Sequence, residues 1–331
     1  MISFTVRRLV SMLVVLFALL AILFILQAIS PMDPVRAYVG QHASQAVVNA
    51  ARKRLGYDSP LPVQYIRYVG RAVTGNLGMS LATGRPVLSD IGRYLTASLE
   101  LVCFSLFFAV PLALFYGLIG AAGWRGSSAL RTAMLALAAA PPFLLAIVGI
   151  VFFYQKLGWL PASGRSNYLN APGGPTGFLT IDGLLHGRPN VTLDALRHLV
   201  LPAFVLSLVP AVAVGRVLRG SIVSILRTDQ IRLARAKGLG EVRILLKHCL
   251  RNAAGPSLAM SGLMLGMLFA NLIVVETVFA WPGIGSYVSQ AIARDDFPAT
   301  AGVTLMLGAA YVVINTGVDL LQAWADPRIR K

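Results

Sequence analysis

The side chains able to do chemistry are few, and their neighbours exclude most reactions. A phosphate-cradling loop of the form GxxxxGK[ST] needs a lysine that follows glycine and precedes serine or threonine. Lys53, Lys156, Lys237, Lys247 and Lys331 are all the lysines, and none follows a glycine or precedes Ser or Thr, so no such loop exists. The residues after His42, His186, His198 and His248 are Ala, Gly, Leu and Cys, which removes the HExxH zinc motif. No catalytic residue, metal site or cofactor is therefore expected on this chain. What remains is a set of acids inside or at the ends of apolar runs, Glu100, Glu276 and Asp319. Ionisable groups there are costly and face a cavity or a partner. Asn315 and Asp319 are four apart and share a helix face. These four residues are the candidates for a translocation path. Anchoring at span ends is the competing reading for Glu276 and Asp319, and a packing hydrogen bond for Asn315 with Asp319.

The elements that must position these residues follow from composition. Of 331 residues 56% are hydrophobic and 13% charged, against about 25% charged in soluble domains. Mean hydropathy is +0.72, so an all-α integral membrane protein is expected. A formal net charge of +16 would suit nucleic acid, but the basic residues form no detached domain; their densest stretch lies between two apolar runs. A crossing helix needs roughly 20 residues. Six runs qualify: residues 9–29, 97–119, 133–153, 199–217, 257–279 and 302–321. The first exceeds a signal-peptide core in length and lacks a small-residue cleavage site. With the N-terminus cytoplasmic, 16 of the 29 basic residues fall in short inside segments, nine of them between Arg216 and Arg251. That predicts both termini inside. Cys103 and Cys249 lie on opposite sides of the apolar layer, and no disulfide is expected between them.

Residues 1–29 thus read as a first transmembrane helix, 30–96 as an extracytoplasmic module with a helix around 46–55, and 97–331 as the main membrane domain. The second outside segment, 154–197, is rich in Gly, Pro and Asn and predicts loop with short turns. The cytoplasmic stretch 216–256 is the most informative. Asp229 suits a helix N-terminus, 231–237 favours helix, and Gly238 supplies a left-handed stop. A second helical segment, 241–252, runs on to Gly255 and Pro256 before the fifth span. On charge alone the stretch could do no more than fix orientation.

The residues of this stretch also form a pattern. Ala234-Arg-Ala-Lys-Gly-Leu239 with His248, Arg251-Asn252 and Pro256 resembles the EAA loop of ABC importer permeases, in the form carried by the dipeptide, oligopeptide and nickel subfamily. Gly75-Asn-Leu-Gly-Met-Ser80 is similar to that subfamily's GDLGxS, and Leu157-Gly-Trp-Leu-Pro161 to its LGWLP. Glu276-Thr-Val-Phe279 with Pro282-Gly-Ile-Gly285 is similar to ETVF…PGxG, and Asp319 with Asp326-Pro-Arg-Ile-Arg330 extends the likeness over nearly the whole chain. Asn76 stands where Asp is usual, Gln230 where an aromatic is common, and Arg232 where other permeases carry Glu, the last a mark of the peptide branch.

The resemblance implies a type I permease fold in a bacterial plasma membrane. It further implies a pseudo-dimer with a second, homologous permease, two ATPase subunits that bind ATP and Mg, and an extracytoplasmic solute-binding protein. Asp229, Arg232, Ala234, Arg235, Ala236, Lys237, Gly238 and Leu239 would then form a short helix docking in a groove of the ATPase, with Arg232, Arg235 and Lys237 meeting acidic residues there. Small peptides are the implied cargo, with nickel chelates, glutathione or haem as alternatives. An ion-driven secondary transporter would show repeated halves and buried charged relays; neither is plain here. A membrane enzyme would need a nucleophile–base or metal constellation, which is missing.

Overall fold

The computed structural model describes residues 2–29, 35–40, 42–123, 126–168 and 174–325, with side chains for all of these except residues 2–5, 37, 38, 319 and 321–325. The C-terminal motif 326–330 lies outside the described residues. Among the described residues fourteen α-helices follow one another: α1 (Ile2–Ile29), α2 (Arg36–Val39), α3 (Gln45–Leu55), α4 (Leu61–Val73), α5 (Val87–Ala122), α6 (Ser127–Ala139), α7 (Pro142–Gly149), α8 (Leu179–Leu185), α9 (Pro189–Leu226), α10 (Asp229–Ala236), α11 (Glu241–Arg243), α12 (Leu250–Val278), α13 (Ile284–Ala293) and α14 (Phe297–Ala325). Two π-helical segments, Ile150–Lys156 and Ile244–Cys249, continue α7 and join α11 to α12. Among the described residues the only β pairing is a bridge between Met79 and Pro86. This is what a bilayer permits, because a helix satisfies its own backbone groups where no water can.

Among the described residues five helices are long and apolar enough to cross a membrane: Val6–Ile29, Val87–Ala122, Pro189–Leu226, Glu241–Val278 and Phe297–Val318. The expected third span, 133–153, is not one straight helix. α6 and the helix from Pro142 to Lys156 meet at 105°, because Ala140 precedes a proline and is held extended (φ −72°, ψ 141°), and Pro141 and Pro142 have no N–H to continue the ladder. Counted as one bent span, the pair brings the total to six.

Three further boundaries differ from expectation. α5 starts at Val87, ten residues before the apolar run. α9 starts at Pro189, a first-turn position that suits proline, so part of the presumed loop 154–197 is helix. Gly255 and Pro256 do not interrupt α12; proline is tolerated inside membrane helices where neighbours satisfy the freed carbonyl.

The chain forms two compact units. In the first, residues 1–97 with 282–316, α1 packs on α4: Tyr65 Oη donates to the Phe17 carbonyl (3.0 Å), and Phe24 lies against Tyr65 and Tyr68 at 5.6 and 5.8 Å between ring centroids. Two buried carboxylates close its loop 75–86. Asp296 accepts from Ser80 Oγ and the Ala82 N–H. Asp90 accepts from Thr83 Oγ1 and pairs with Arg85 (2.8 Å). Tyr287 donates to Asp90 at 3.3 Å; burial pushes its phenol well above the ordinary value, so it stays a neutral donor.

The second unit, residues 98–281 with 317–331, is built around α9, whose face toward α12 is almost continuously buried. Close approach of α5 to α9 depends on glycine. A Cβ on Gly215 would lie 2.9 Å from the Ala113 carbonyl oxygen and 3.0 Å from Tyr116 Cβ. Nothing lies within 4 Å of a Cβ on Gly220, on the same helix. Gly215→Leu is therefore expected to lower stability by roughly 1–3 kcal/mol, and Gly220→Leu to leave it unchanged. Thermal melting of the two detergent-solubilised variants checks this, and equal midpoints would contradict the packing described.

Candidate functional site

The short helix α10 presents two different faces. It starts after Thr228, which is extended (φ −75°, ψ 153°), and carries Asp229 in its first turn, where a carboxylate favours the positive helix end. Ile231 and Ala234 are 3% and 8% exposed and pack into a cluster with Leu218, Ile222, Ile244, Cys249 and Ala253. The helix is thereby fastened to the end of α9 and the start of α12. The opposite face, Arg232, Leu233, Arg235, Ala236 and Lys237, is open, and Leu233 is 58% exposed. Leu233 thus stands out among cations on a helix that is anchored by its other face.

Gly238 ends α10 in the left-handed region (φ +76°). Its N–H donates to the Arg235 carbonyl (2.9 Å), and the Leu239 N–H to the Ala234 carbonyl (3.2 Å), while Leu239 packs back on the same apolar cluster. Arg235 bridges the turn, donating from Nε and Nη2 to the two oxygens of Glu241 at 2.7 and 3.1 Å. These bonds shift Arg235 upward from its ordinary pKa, so it is a cation at any physiological pH. Such an exposed pair adds little stability; the turn is set by the left-handed Gly238 and the packing of Leu239. Arg232 pairs with Asp229 at 3.1 Å. Of the three cations expected to reach a partner, two are already engaged within the chain, and Lys237 has no ion pair among the described residues.

The intramembrane acids have different surroundings. Glu100 is 1% exposed and fully engaged. Arg165 donates to its Oε2 from Nη2 and from Nε (3.0 Å), and Thr180 donates to Oε1 from its N–H (2.9 Å) and Oγ1 (2.6 Å). Arg165 also donates to the Gly177 carbonyl (2.6 Å) and lies 5.9 Å from the centroid of the buried Trp281 ring. Asp194 accepts from Ser166 and Asn167, and Asp182 from Thr176. The buried Glu100 and Asp182 and the half-buried Asp194 thus pin the segment around Arg165 to α5, α8 and α9. Glu276 is wholly buried and accepts from Ser98 Oγ at 2.6 Å, so it does not reach a headgroup surface as its place near a span end suggested. Asn315 is half-buried on α14; the side chain of Asp319 lies outside the described residues.

Neither Glu100 nor Glu276 lines the large open groove of the second unit. It encloses about 390 Å³ between α5, α9 and α12, and its walls include Ala109, Pro210, Val214 and Leu268. Its hydroxyls, Ser257 and Ser261, each donate to the carbonyl one turn earlier at 2.9 Å, so the groove offers no charge and no free strong donor. Among the described residues no three His, Cys, Asp or Glu side chains gather to hold a metal.

The partners of the acids were invisible in the sequence. Arg165 and Thr180 are 65 and 80 residues from Glu100, and Ser98 is 178 from Glu276. No local pattern links residues so far apart.

Removing one member of a buried pair strands the other charge at a cost of about 3–5 kcal/mol, whereas removing both is far milder. Arg165→Met is expected to lower the melting midpoint sharply, and Glu100→Gln with Arg165→Met to recover most of the loss. A double variant no more stable than the single one would show that the pair does not act as a unit.

Comparison with known proteins agrees with this geometry. Residues 109–331 match the family profile described as "Binding-protein-dependent transport system inner membrane component", and residues 1–93 its N-terminal counterpart, "Binding-prot-dependent transport system membrane comp, N-term". The chain is 35% identical over 334 residues to the Dipeptide transport system permease protein DppB of Alkalihalophilus pseudofirmus, covering 100% of both chains. It is 40% identical to the Probable D,D-dipeptide transport system permease protein DdpB of Escherichia coli (strain K12), over 98% of this chain and 96% of that one. It is 32% identical to the Glutathione transport system permease protein GsiC of the same strain, over 100% and 99%. With its bilayer-crossing helices and matching profiles over nearly its whole length, this chain belongs to the family of inner-membrane permease components of binding-protein-dependent ABC transport systems.

Proposed function

We propose that this permease carries small peptides into the cytoplasm and that α10 is its coupling element. The carrying observation is the division of α10 into a face fastened to α9 and α12 and a face that leaves Leu233 and three cations outside. A rigid knob of this kind fits the groove of a cytoplasmic ATPase, and its fastening delivers any displacement to the membrane helices. ATP and Mg would be held by two separate ATPase subunits, a second homologous permease would complete the path, and an extracytoplasmic protein would deliver cargo. Both termini would be cytoplasmic, in keeping with the nine basic residues between Arg216 and Arg251.

Peptide cargo is supported by full-length relatives named for dipeptide transport. The relative named for glutathione, also matched over its full length, favours a modified tripeptide as the second reading. The apolar groove suits a path that binds no part of its cargo tightly and leaves selection to the delivering protein.

Two measurements test the proposal. In a background lacking Cys103 and Cys249, a cysteine at Gly75 should react with an impermeant thiol reagent added outside, and one at Gly240 should not; the reverse pattern would overturn the orientation. In liposomes holding the assembled transporter, Gly238→Val places a β-branched residue in a left-handed conformation that costs roughly 1–2 kcal/mol even without crowding. Membrane insertion should persist while labelled dipeptide uptake and cargo-stimulated ATP hydrolysis fall together. Parental uptake and hydrolysis by this variant would remove the coupling role. Uptake of glutathione but not of dipeptides by the parent would select the second reading.

A further inference from the structure

The end of α5 carries a second arrangement that coupling does not use. Arg131, one turn into α6, and Arg219, on α9, converge on Gly120. A Cβ there would lie 3.2 Å from Arg131 Cδ and 2.8 Å from Arg219 Cδ, so the absent side chain is the floor on which both arginines lie. Each uses only its Nε on the protein: Arg219 donates to the Gly120 carbonyl at 3.0 Å and Arg131 to the Ser127 carbonyl at 3.2 Å. The terminal nitrogens of both forks have no hydrogen-bond or ion-pair partner among the described residues, although both side chains are half-buried.

Two arginines whose side chains cross one glycine repel each other, and an anion held by both forks would offset that repulsion. The surrounding segments cannot supply it. Residues 120–131 and 216–251 hold eleven Lys and Arg but two carboxylates, Asp229 and Glu241, and these are engaged by Arg232 and Arg235. The site also lies where apolar helices end: Gly120 is two residues from the end of α5, a candidate span. Lipid phosphates stand at that depth, and basic pockets between membrane helices take anionic headgroups. Paired guanidinium forks match the tetrahedral oxygens of a phosphate better than ammonium groups would.

We propose that Arg131 and Arg219, laid over Gly120, form a binding site for the phosphate of an anionic phospholipid headgroup. The lipid's acyl chains would run along the apolar helices while its phosphate joins the end of α5, the start of α6 and the side of α9. This requires only that the chain sit in a bilayer and is independent of cargo; the leaflet follows from the orientation proposed above.

The assembled transporter, purified in a neutral detergent, is incubated with mixed micelles of phosphatidylglycerol and phosphatidylcholine, and retained lipid is counted by native mass spectrometry. The parent should keep phosphatidylglycerol in preference, and Arg131→Gln with Arg219→Gln should lower retention about tenfold, the order expected for losing charge-assisted hydrogen bonds. Arg131→Gln alone, which leaves the Arg219–Gly120 bond intact, should lose a large share of this and guards against misfolding of the double variant. Arg227→Gln, an exposed cation beyond the end of α9, should change nothing. Equal retention by parent and double variant overturns the site. So does displacement of the lipid by excess inorganic phosphate, which would assign a free-anion site. Unchanged lipid with loss of the ATPase subunits would assign a protein contact and overturn it equally.

Discussion

Hydrocarbon offers no partner to a backbone amide, a carboxylate or a guanidinium, so a chain crossing it must satisfy each of these from within. Most of this structure follows from that constraint. The spans are helical because a helix closes its own hydrogen bonds. Where Pro141 and Pro142 prevent closure, the third crossing bends by 105° instead of continuing. Glu100 is tolerated because Arg165 and Thr180 occupy both of its oxygens, and Glu276 because Ser98 and the surrounding protein enclose it. Arg227, Arg232 and Lys237, beyond the end of α9, are exposed instead.

Around Arg165 three carboxylates, Glu100, Asp182 and Asp194, tie an irregular segment to regular helices of the second unit. At the other end α10 is held by apolar contact to Ile222 and Ile244 and by a turn that Arg235 and Glu241 close. From Glu241 the helix runs through the π segment Ile244–Cys249 directly into α12, which lines the open groove. In the proposed mechanism, a displacement of α10 is therefore delivered along one continuous helix to the groove wall. A π segment is a common place for such helices to adjust.

How much of this was legible in the sequence depended on how local its cause was. The apolar runs gave the crossings, and Asp229 with Gly238 bounded a helix that the structure contains, because caps and left-handed stops are properties of a few adjacent residues. The starts of α5 and α9 were not legible: Val87–Thr96 and Pro189–His198 are polar enough to read as loop, and they are helical because tertiary packing buries residues such as Val87, Ile91, Val191 and Ala195. The bend at Pro141 was present in the sequence as a proline pair, but an apolar run hides a break whose consequence is only geometric. The inward role of Ala234 and the pairing of Arg235 with Glu241 required knowing which way α10 faces.

In the proposed mechanism the outer face of α10 is a protein-docking surface that couples an ATPase to the membrane helices. A photo-activatable cross-linking residue in place of Leu233, in the assembled transporter, tests it most directly. The account predicts an adduct with the mass of this chain plus one ATPase subunit, whose yield changes between the ATP-bound and nucleotide-free states. Adducts only with lipid or with the second permease, at a yield indifferent to nucleotide, would contradict it.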